Sequence, residues 1–475
     1  MPYETVIGLE VHCELCTKSK IFCGCTTRFG GAPNTQVCPV CSGMPGALPV
    51  LNRAVVEYAI RAGLATNCNI TRNNKFDRKN YFYPDLPKAY QISQLYYPIC
   101  TEGWIALEGK RVRIREIHME EDAGKLVHDP WEDATLADYN RCGVPLLEIV
   151  SQPDMRSAAE AVEYIEKLKA ILEYTGVSDC KMQEGSLRAD VNLSVRPVGQ
   201  KEFGTRTEMK NLNSLRAIAR AIEAETARQI ELIEDGGRVT QETRRWDDDR
   251  GETYAMRSKE DAQDYKYFPE PDLPPIEISE EQINALRASL PELPEAKKRR
   301  YREELGLPEY DTGIIAGSVP LVRLFERTCA ICGDAKEAAN WVMGEVLRLL
   351  QATQTLPEHM AFEPDALGRL ILLTQKNVIN RGTAKKVFAE VFRSNVDPEA
   401  YVKEHNLGLV TDDSAIRAVI ADVLKQNEKA VDEWNRGKVQ AMQFLIGQCM
   451  KALRGQAPAE KVSSLLRAMM GGDLQ

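Results

Sequence analysis

The chain has 475 residues, of which 43% are hydrophobic and 28% charged, and its formal net charge is −9. This length and composition predict a globular protein of two or three domains and exclude a disordered chain. No apolar run approaches the roughly 18 residues of a membrane helix, and the opening MPYETVIGLEVH lacks a secretory signal pattern, so we expect a cytoplasmic protein. The negative charge means that any nucleic-acid contact must be local.

The first 290 or so residues mix strand-like and helical segments. Polar and apolar residues alternate with period two in ETVIGLEVHCEL, RVRIREIHMEE and SLRADVNLSVRP. Ser157 and Glu160 form a capping-box pattern ahead of a helix that ends near Gly176, and another helix is predicted to begin near Ser214. Because strands and helices do not alternate strictly, we predict an α+β fold with a largely antiparallel sheet.

A proline-rich break at 267–279 closes this half, and the pattern beyond it is helical. We predict a first domain over 1–290, a helical middle region over 291–405 and a small helical tail over 406–475. The predicted helices include 378–392, 412–427, 429–436 and 438–454. The last 40 residues carry six basic side chains against two acidic ones, which on charge alone favours an ordinary solvated helical face.

Acidic residues lie on several predicted strands. Glu10 and His12 share one face of the first strand, and Asp190 lies on the polar face of another. Glu121 shares the apolar face of its strand, opposite the face that carries Glu116, His118 and Glu120. Glu148 stands inside a run that is otherwise apolar, where a lone carboxylate must be neutralised by a proton or a cation.

Taken singly, each acidic segment is better explained as a solvated strand face. Taken together, they predict one polar cavity lined by a sheet face. Oxygen ligands with at most one imidazole suit Mg²⁺ or Mn²⁺ better than Zn²⁺.

The cysteines give the strongest local signal. Cys23 and Cys25, followed after twelve residues by Cys38 and Cys41, have a spacing that can close a structural Zn²⁺ site with four thiolates. The alternative is four unrelated reduced thiols. Two further pairs, Cys13 with Cys16 and Cys329 with Cys332, lack a matching second pair and are expected to be core or incidental.

The segment FDRKNYFYPDLPKAYQISQ, residues 76–94, combines basic and aromatic side chains. Its Arg and Lys residues can contact phosphate, and Tyr81 and Tyr83 can stack on bases, but a proline-stiffened loop with core aromatics explains the composition equally well. The sequence has no P-loop and no glycine-rich paired-serine segment of the amidase type. We therefore do not expect this chain to release ammonia from glutamine by itself.

Several long motifs resemble the GatB subunit of the bacterial GatCAB amidotransferase. They are ETVIGLEVH, FDRKNYFYPDLPKAYQISQ, HMEEDAGK, DYNRCGVPLLEIVSQPD, GSLRADVNLSVRP, TEMKNLNS and DYKYFPEPDLPP, and the tail resembles that family's YqeY-type domain. The resemblance spans essentially the whole chain. It implies a cradle-shaped first domain that holds the acceptor end of Glu-tRNA(Gln) or Asp-tRNA(Asn), phosphorylates the side-chain carboxylate with ATP and Mg²⁺, and forms the amide with ammonia. It also implies a heterotrimer, in which a glutaminase subunit delivers the ammonia and a small third subunit braces the pair.

The same resemblance implies roles for particular residues. The metal positions carry over onto His12, Glu121 and Glu148, with Glu10 and Asp190 able to complete a second or shifted ion site. Glu121, Glu148 and Lys79 are the implied catalytic residues, and we infer a phosphate-facing role for Arg78 and Lys79. We expect tRNA contacts from Tyr81, Tyr83, Arg436, Lys438, Lys451 and Arg454.

Two other functions remain open on the sequence. A non-catalytic tRNA-binding scaffold, with all chemistry in a partner, would tolerate neutralisation of the acidic cluster. A free-standing metal hydrolase would act without tRNA or partner subunits.

Overall fold

The computed structural model describes residues 2–128, 134–258, 265–410, 412–453 and 456–471. The chain divides into two compact units, Met1–Pro294 and Glu295–Gln475. The first is an α+β unit and the second is helical, so the predicted fold class is confirmed. The further boundary near residue 405 stays a prediction.

A nine-stranded sheet organises the first unit. The strands in chain order are β1 (Tyr3–Glu14), β2 (Asn69–Ile70), β3 (Asn73–Asn74), β4 (Asp77–Asn80), β5 (Tyr90–Ser93), β6 (Cys100–Leu107), β7 (Lys110–Glu121), β8 (Lys125–His128), β9 (Thr135–Asp138), β10 (Pro145–Ser151), β11 (Leu187–Pro197), β12 (Thr207–Lys210), β13 (Glu242–Asp247), β14 (Glu252–Ser258), β15 (Phe268–Pro269) and β16 (Ile276–Glu277). The large sheet has the order β14-β13-β12-β11-β1-β10-β7-β6-β2. All of its pairs are antiparallel except β12 with β13, as the sequence predicted for most of the sheet.

One face of this sheet is apolar and is covered by helices. The helices of the first unit are α1 (Arg53–Ala65), α2 (Ala158–Tyr174), α3 (Leu215–Glu234) and α4 (Glu280–Ala288). Strand residues such as Val11, Ile149 and Val191 share one hydrophobic core with Leu168 of α2 and Ile218 of α3. Since successive strand residues point to opposite faces, the polar residues between them all point away from these helices.

The predicted helix starts are found at Ser157 and Ser214, whose side chains accept hydrogen bonds from the amides of Glu160 and Ala217. The capping box at Ser157 is modified, because the Glu160 carboxylate accepts from the amide of Arg156 at 2.7 Å. The segment 76–94 is a β-hairpin of β4 and β5, which pairs Lys79 with Gln91. It is therefore more regular than the loop that its prolines suggested.

The second unit consists of helices α5 (Pro294–Glu303), α6 (Glu309–Ala316), α7 (Val319–Cys332), α8 (Ala335–Trp341), α9 (Leu347–Thr353), α10 (Pro364–Gln375), α11 (Arg381–Ser394), α12 (Pro398–Glu404), α13 (Asp413–Gln426), α14 (Glu428–Asn435), α15 (Gln440–Ala452) and α16 (Ala459–Met469), with a π-helical turn at Val342–Val346 and a 3₁₀ turn at Pro357–His359. Ile420 of α13, Leu445 of α15 and Leu466 of α16 lie in a separate small core. Among the described residues, no helix combines the length and apolarity needed to cross a bilayer.

Candidate functional site

The polar face of the sheet, opposite the face that the helices cover, carries rows of charged residues across its central strands. One row contains, strand by strand, Arg188 of β11, His12 of β1, Glu148 of β10 and His118 of β7, and each of these residues is directly opposite the next. In the next row Asp190 is opposite Glu10. Directly opposed residues in antiparallel strands point to the same side, so these side chains share one face.

His12, Glu120 and Glu148 form the tightest group on this face, with one potential ligand atom from each lying within 4.8 Å of the others. The Nε2 atom of His12 is 3.6 Å from Oε1 of Glu120 and 4.0 Å from Oε2 of Glu148. Around an octahedral Mg²⁺ with ligands at about 2.1 Å, ligand atoms are about 3 to 4.2 Å apart. Two carboxylates and one imidazole at these separations therefore fit a small divalent cation.

Glu121 lies outside this group, and its predicted role as a metal and catalytic residue stays a prediction. Glu120 and Glu14 are both directly opposite Leu146 of β10, so they lie on the same face of the sheet. Glu14 is two residues from His12 on β1, so this is also the face of His12. Glu121 lies on the opposite side, where its Oε1 forms an ion pair with Lys88 and accepts the amide of Ile92 at 2.9 Å. The alternation favoured Glu121 because its face is the apolar one, but the metal group lies on the polar face.

Glu10 and Asp190 lie on the same face but are engaged by other residues. Glu10 accepts a hydrogen bond from the Asn192 amide at 2.9 Å. Lys210 of β12 bridges Asp190 and Glu208, with its Nζ 2.7 Å from Glu208. A role for Glu10 or Asp190 in a second ion site stays a prediction, and for Asp190 it would require displacement of Lys210.

Lys79 acts electrostatically on the group from the β4–β5 hairpin. Its positive charge lowers the pKa of both Glu120 and Glu148, although other influences outweigh this at Glu120. Its Nζ lies 4.9 Å from the ring centre of Tyr265 and 5.7 Å from that of Tyr81. The ammonium thus lies against aromatic rings, and its predicted contact with a phosphate stays a prediction.

Arg78 is engaged by acidic side chains, and its predicted phosphate-facing role stays a prediction. Its Nε and Nη2 donate to both oxygens of Glu270 at 2.7 and 2.9 Å, and Nη2 also donates to Asp272 at 2.9 Å. The guanidinium stacks 4.2 Å from the ring centre of Tyr90. Arg78 therefore ties the segment of Glu270 to β4 and positions the hairpin.

The carboxyl groups of the site titrate differently because of their surroundings. Burial and the charge of Glu148 raise the pKa of Glu120. Burial opposes ionisation of Glu148 as well, but His12 and His118 hold its pKa below the ordinary value. Burial disfavours the charged form of His118, yet Glu116 at 3.3 Å and Glu148 raise its pKa overall. Burial and nearby positive charge therefore act in opposite directions on these acids, and a bound cation would favour their ionised forms.

Glu14 gives a pH-dependent prediction. Burial, followed by the charge of Asp122, raises the pKa of Glu14 to about 7. A carboxyl whose folded pKa exceeds its unfolded value contributes stability below the unfolded pKa and loses it as the pH rises through the folded pKa. We expect the free energy of unfolding to fall between pH 5 and 8 without added divalent ions, and to fall less in Glu14→Gln. Urea titrations at each pH measure this, and identical pH profiles for both proteins would refute it.

The four cysteines also come together. The Sγ atoms of Cys23, Cys25, Cys38 and Cys41 lie within 4.8 Å of one another, and those of Cys38 and Cys41 are 3.9 Å apart. Thiolates around a tetrahedral Zn²⁺ with bonds of about 2.3 Å are about 3.8 Å apart. A hydrogen bond from Cys23 lowers the pKa of Cys41 to about 4, and the nearby Lys20 adds to this. A lowered pKa favours the thiolate form of Cys41, which is the form that binds a metal.

The remaining predicted contacts are dispersed. Tyr83 is exposed on the hairpin turn, whereas Tyr81 is partly buried with its ring centre 5.6 Å from that of Tyr265. In the tail Arg436 and Lys451 are exposed, and Lys438 pairs with Glu433 at 3.0 Å. Arg454 lies outside the described residues. Glu120, His118 and Lys210 were missed as site residues, although the first two were on the strand face that the alternation had marked as polar.

Comparison with known proteins identifies the family. Residues 5–284 match the family model described as the GatB/GatE catalytic domain. The chain belongs to the GatB family. Residues 323–470 match a second model, described as the GatB domain, so the resemblance inferred from the motifs is confirmed.

Relatives agree over the full length. Proteins named as the B subunit of aspartyl/glutamyl-tRNA(Asn/Gln) amidotransferase from Lachnoclostridium phytofermentans, Lachnospira eligens and Caldicellulosiruptor saccharolyticus are 61%, 57% and 56% identical to the chain. Each alignment covers 98% of this chain and 99% of the relative.

Proposed function

We propose that this chain is the component of a tRNA-dependent amidotransferase that activates the side-chain carboxylate of Glu-tRNA(Gln) or Asp-tRNA(Asn) with ATP. The enzyme is a ligase that forms carbon–nitrogen bonds for protein synthesis. Family membership supports the reaction class. The observation that carries the assignment of the activation step to this chain is the convergence of His12, Glu120 and Glu148 on the polar face of the sheet.

The reaction needs activation because a carboxylate has no good leaving group. Transfer of the γ-phosphoryl group of ATP to the carboxylate gives an acyl phosphate, from which ammonia displaces phosphate to give the amide. A bound Mg²⁺ would neutralise phosphate charge and polarise the transferring group. The side chains that would hold it are His12, Glu120 and Glu148, which are at most 22% exposed.

Lys79 supplies a fixed positive charge opposite this group. Without it, the anionic phosphates and the substrate carboxylate would both face a surface rich in acids. Its position between the aromatic rings and the acids lets it orient a phosphate by charge and hydrogen bonding. Catalysis then consists of positioning and electrostatics, which fits a site without an obvious side-chain nucleophile.

Ammonia and assembly require partners. The relatives are named as subunits, and we propose that two further proteins, one a glutaminase and the other small, assemble with this chain into a heterotrimer in the cytoplasm. The cysteine cluster would bind structural Zn²⁺ and hold its loop against the first unit. Exposed residues of the hairpin and of the tail, 406–475, would contact tRNA, with Tyr83, Arg436 and Lys451 as candidates.

Glu148→Gln tests the proposal directly. In the assembled complex we expect ATP-dependent amidation of Glu-tRNA(Gln) to be abolished, because the site loses a negative ligand of the ion. Glutaminase activity of the partner and assembly should survive. Glu57→Gln, which removes an exposed carboxylate from α1, is the matched control and should behave as wild type. Amidation at the wild-type rate by Glu148→Gln would favour the scaffold function, and activity of the lone chain without tRNA would favour a hydrolase.

A further inference from the structure

The β4–β5 hairpin is joined to the end of β7 by side chains. Strand β5 pairs with β4 in a separate three-stranded sheet, whereas β7 belongs to the nine-stranded sheet. The side-chain oxygen of Gln94 accepts the amide of Met119 at 3.0 Å, and Nε2 of Gln91 donates to the carbonyl of Glu121 at 2.8 Å. Both glutamines are buried. The hairpin is therefore fixed to the residues on either side of Glu120.

Ser93, the last residue of β5, contacts Glu120 itself. Its hydroxyl donates to Oε2 of Glu120 at 3.1 Å, and Ser93 is 5% exposed. The other carboxylate oxygen, Oε1, lies 3.6 Å from Nε2 of His12. The hydroxyl thus holds one oxygen of Glu120 while the other faces the candidate ion site.

The register of the hairpin places Ser93 on the face that carries Lys79. Lys79 is directly opposite Gln91, and Ser93 lies two residues further along β5. Since opposed residues share a face and the side chains alternate along a strand, Lys79, Gln91 and Ser93 point to the same side of the hairpin. One short hairpin therefore sets the position of an acid of the ion site and of the ammonium that acts on it.

We propose that Ser93 is a positioning residue, which orients Glu120 for the divalent ion, and this inference rests on the proposed function. A hydrogen bond to the outer oxygen of a carboxylate fixes its orientation and leaves the inner oxygen for the metal, as outer partners of metal ligands do. A hydroxyl performs this task without adding charge. A lysine would compete with the ion, and at the neighbouring Glu121 the carboxylate is in fact paired with Lys88.

Ser93→Ala tests this role in the assembled complex. We expect its affinity for Mn²⁺, measured by electron paramagnetic resonance, to fall about 10- to 100-fold, the loss typical of an outer partner of a metal ligand. Amidation should require a correspondingly higher Mg²⁺ concentration for half its maximal rate, with kcat restored at saturating Mg²⁺. A merely structural role of Ser93 would instead lower kcat at every Mg²⁺ concentration.

Ser178→Ala is the matched control, because it removes an equally buried hydroxyl of the first unit. Ser178 is 3% exposed, and its hydroxyl accepts the amide of Cys180 at 3.1 Å. Its affinity for Mn²⁺ should equal that of wild type. The inference is overturned if Ser93→Ala binds Mn²⁺ within twofold of wild type, or if saturating Mg²⁺ fails to restore its kcat. Failure of the proposed function looks different, since the wild-type complex itself would then neither use ATP nor amidate tRNA.

Discussion

Glu120→Gln is expected to abolish divalent-ion binding at the sheet face and, with it, ATP-dependent amidation. Glu120 is 5% exposed and contributes one of the two carboxylates of the proposed ion site, so its loss removes both a ligand and a negative charge. Since loss of an outer partner of a metal site costs about 10- to 100-fold, loss of a direct ligand should exceed about 100-fold in Mn²⁺ affinity. Titration with Mn²⁺, followed by electron paramagnetic resonance, measures this on the intact complex.

The adjacent residue provides a closely matched control. Glu121→Gln removes the same charge one position along the chain, but on the other side of the strand, where the carboxylate pairs with Lys88. We expect unchanged Mn²⁺ affinity and a free energy of unfolding lower by about 3 kcal/mol, because a buried ammonium loses its partner. If Glu121→Gln lost the ion and Glu120→Gln kept it, Glu121 would be the ligand, as the sequence-based prediction has it, and the proposed ligand set would be wrong.

Cys38→Ser and Cys41→Ser should each release a bound zinc ion and destabilise the first unit. Four thiolates fill the coordination sphere of a tetrahedral ion, so removing one leaves three ligands and an open position. A structural zinc site needs all four ligands, and the ion is therefore expected to be lost. Zinc content should fall from about one ion per chain to nearly none. A loss of about 2 kcal/mol would lower the melting temperature of a unit of this size by about 3 °C.

Cys16→Ser is the control for the cysteine cluster, because Cys16 is exposed and lies outside it. Its zinc content and melting temperature should equal those of wild type. Elemental analysis of purified protein, combined with calorimetry, decides the matter. If wild-type protein purified under reducing conditions contained no zinc, the four thiols would have another role.

Features set by local sequence were predictable. The alternation in β1 separated His12 and Glu10 from the core residues, and the Ser157 and Ser214 caps marked the starts of α2 and α3. The cysteine spacing likewise anticipated the cluster, because both pairs lie within one short loop. The predicted tail helix 412–427 corresponds to α13, Asp413–Gln426, since an amphipathic helix with an aspartate cap is specified within its own residues.

Features set by strand pairing were not predictable from one sequence. Alternation defines two faces of β7 but does not say which face points towards His12, and only the register with β10 decides between Glu120 and Glu121. The ion pair of Arg78 could not be predicted for a related reason, because its partner Glu270 is 192 residues away in the chain. The pairing of Lys210 with Asp190 depends in the same way on β12 joining the sheet next to β11.

In the proposed mechanism, the side-chain carboxylate passes through an acyl phosphate at the sheet face. Glu-tRNA(Gln) whose side-chain carboxylate carries oxygen-18 tests this in one turnover of the assembled complex with ATP and glutamine. Activation by phosphorylation transfers one labelled oxygen into inorganic phosphate as the amide forms, and the Glu120→Gln complex should release none. Amide formation with wholly unlabelled phosphate would contradict the proposed mechanism.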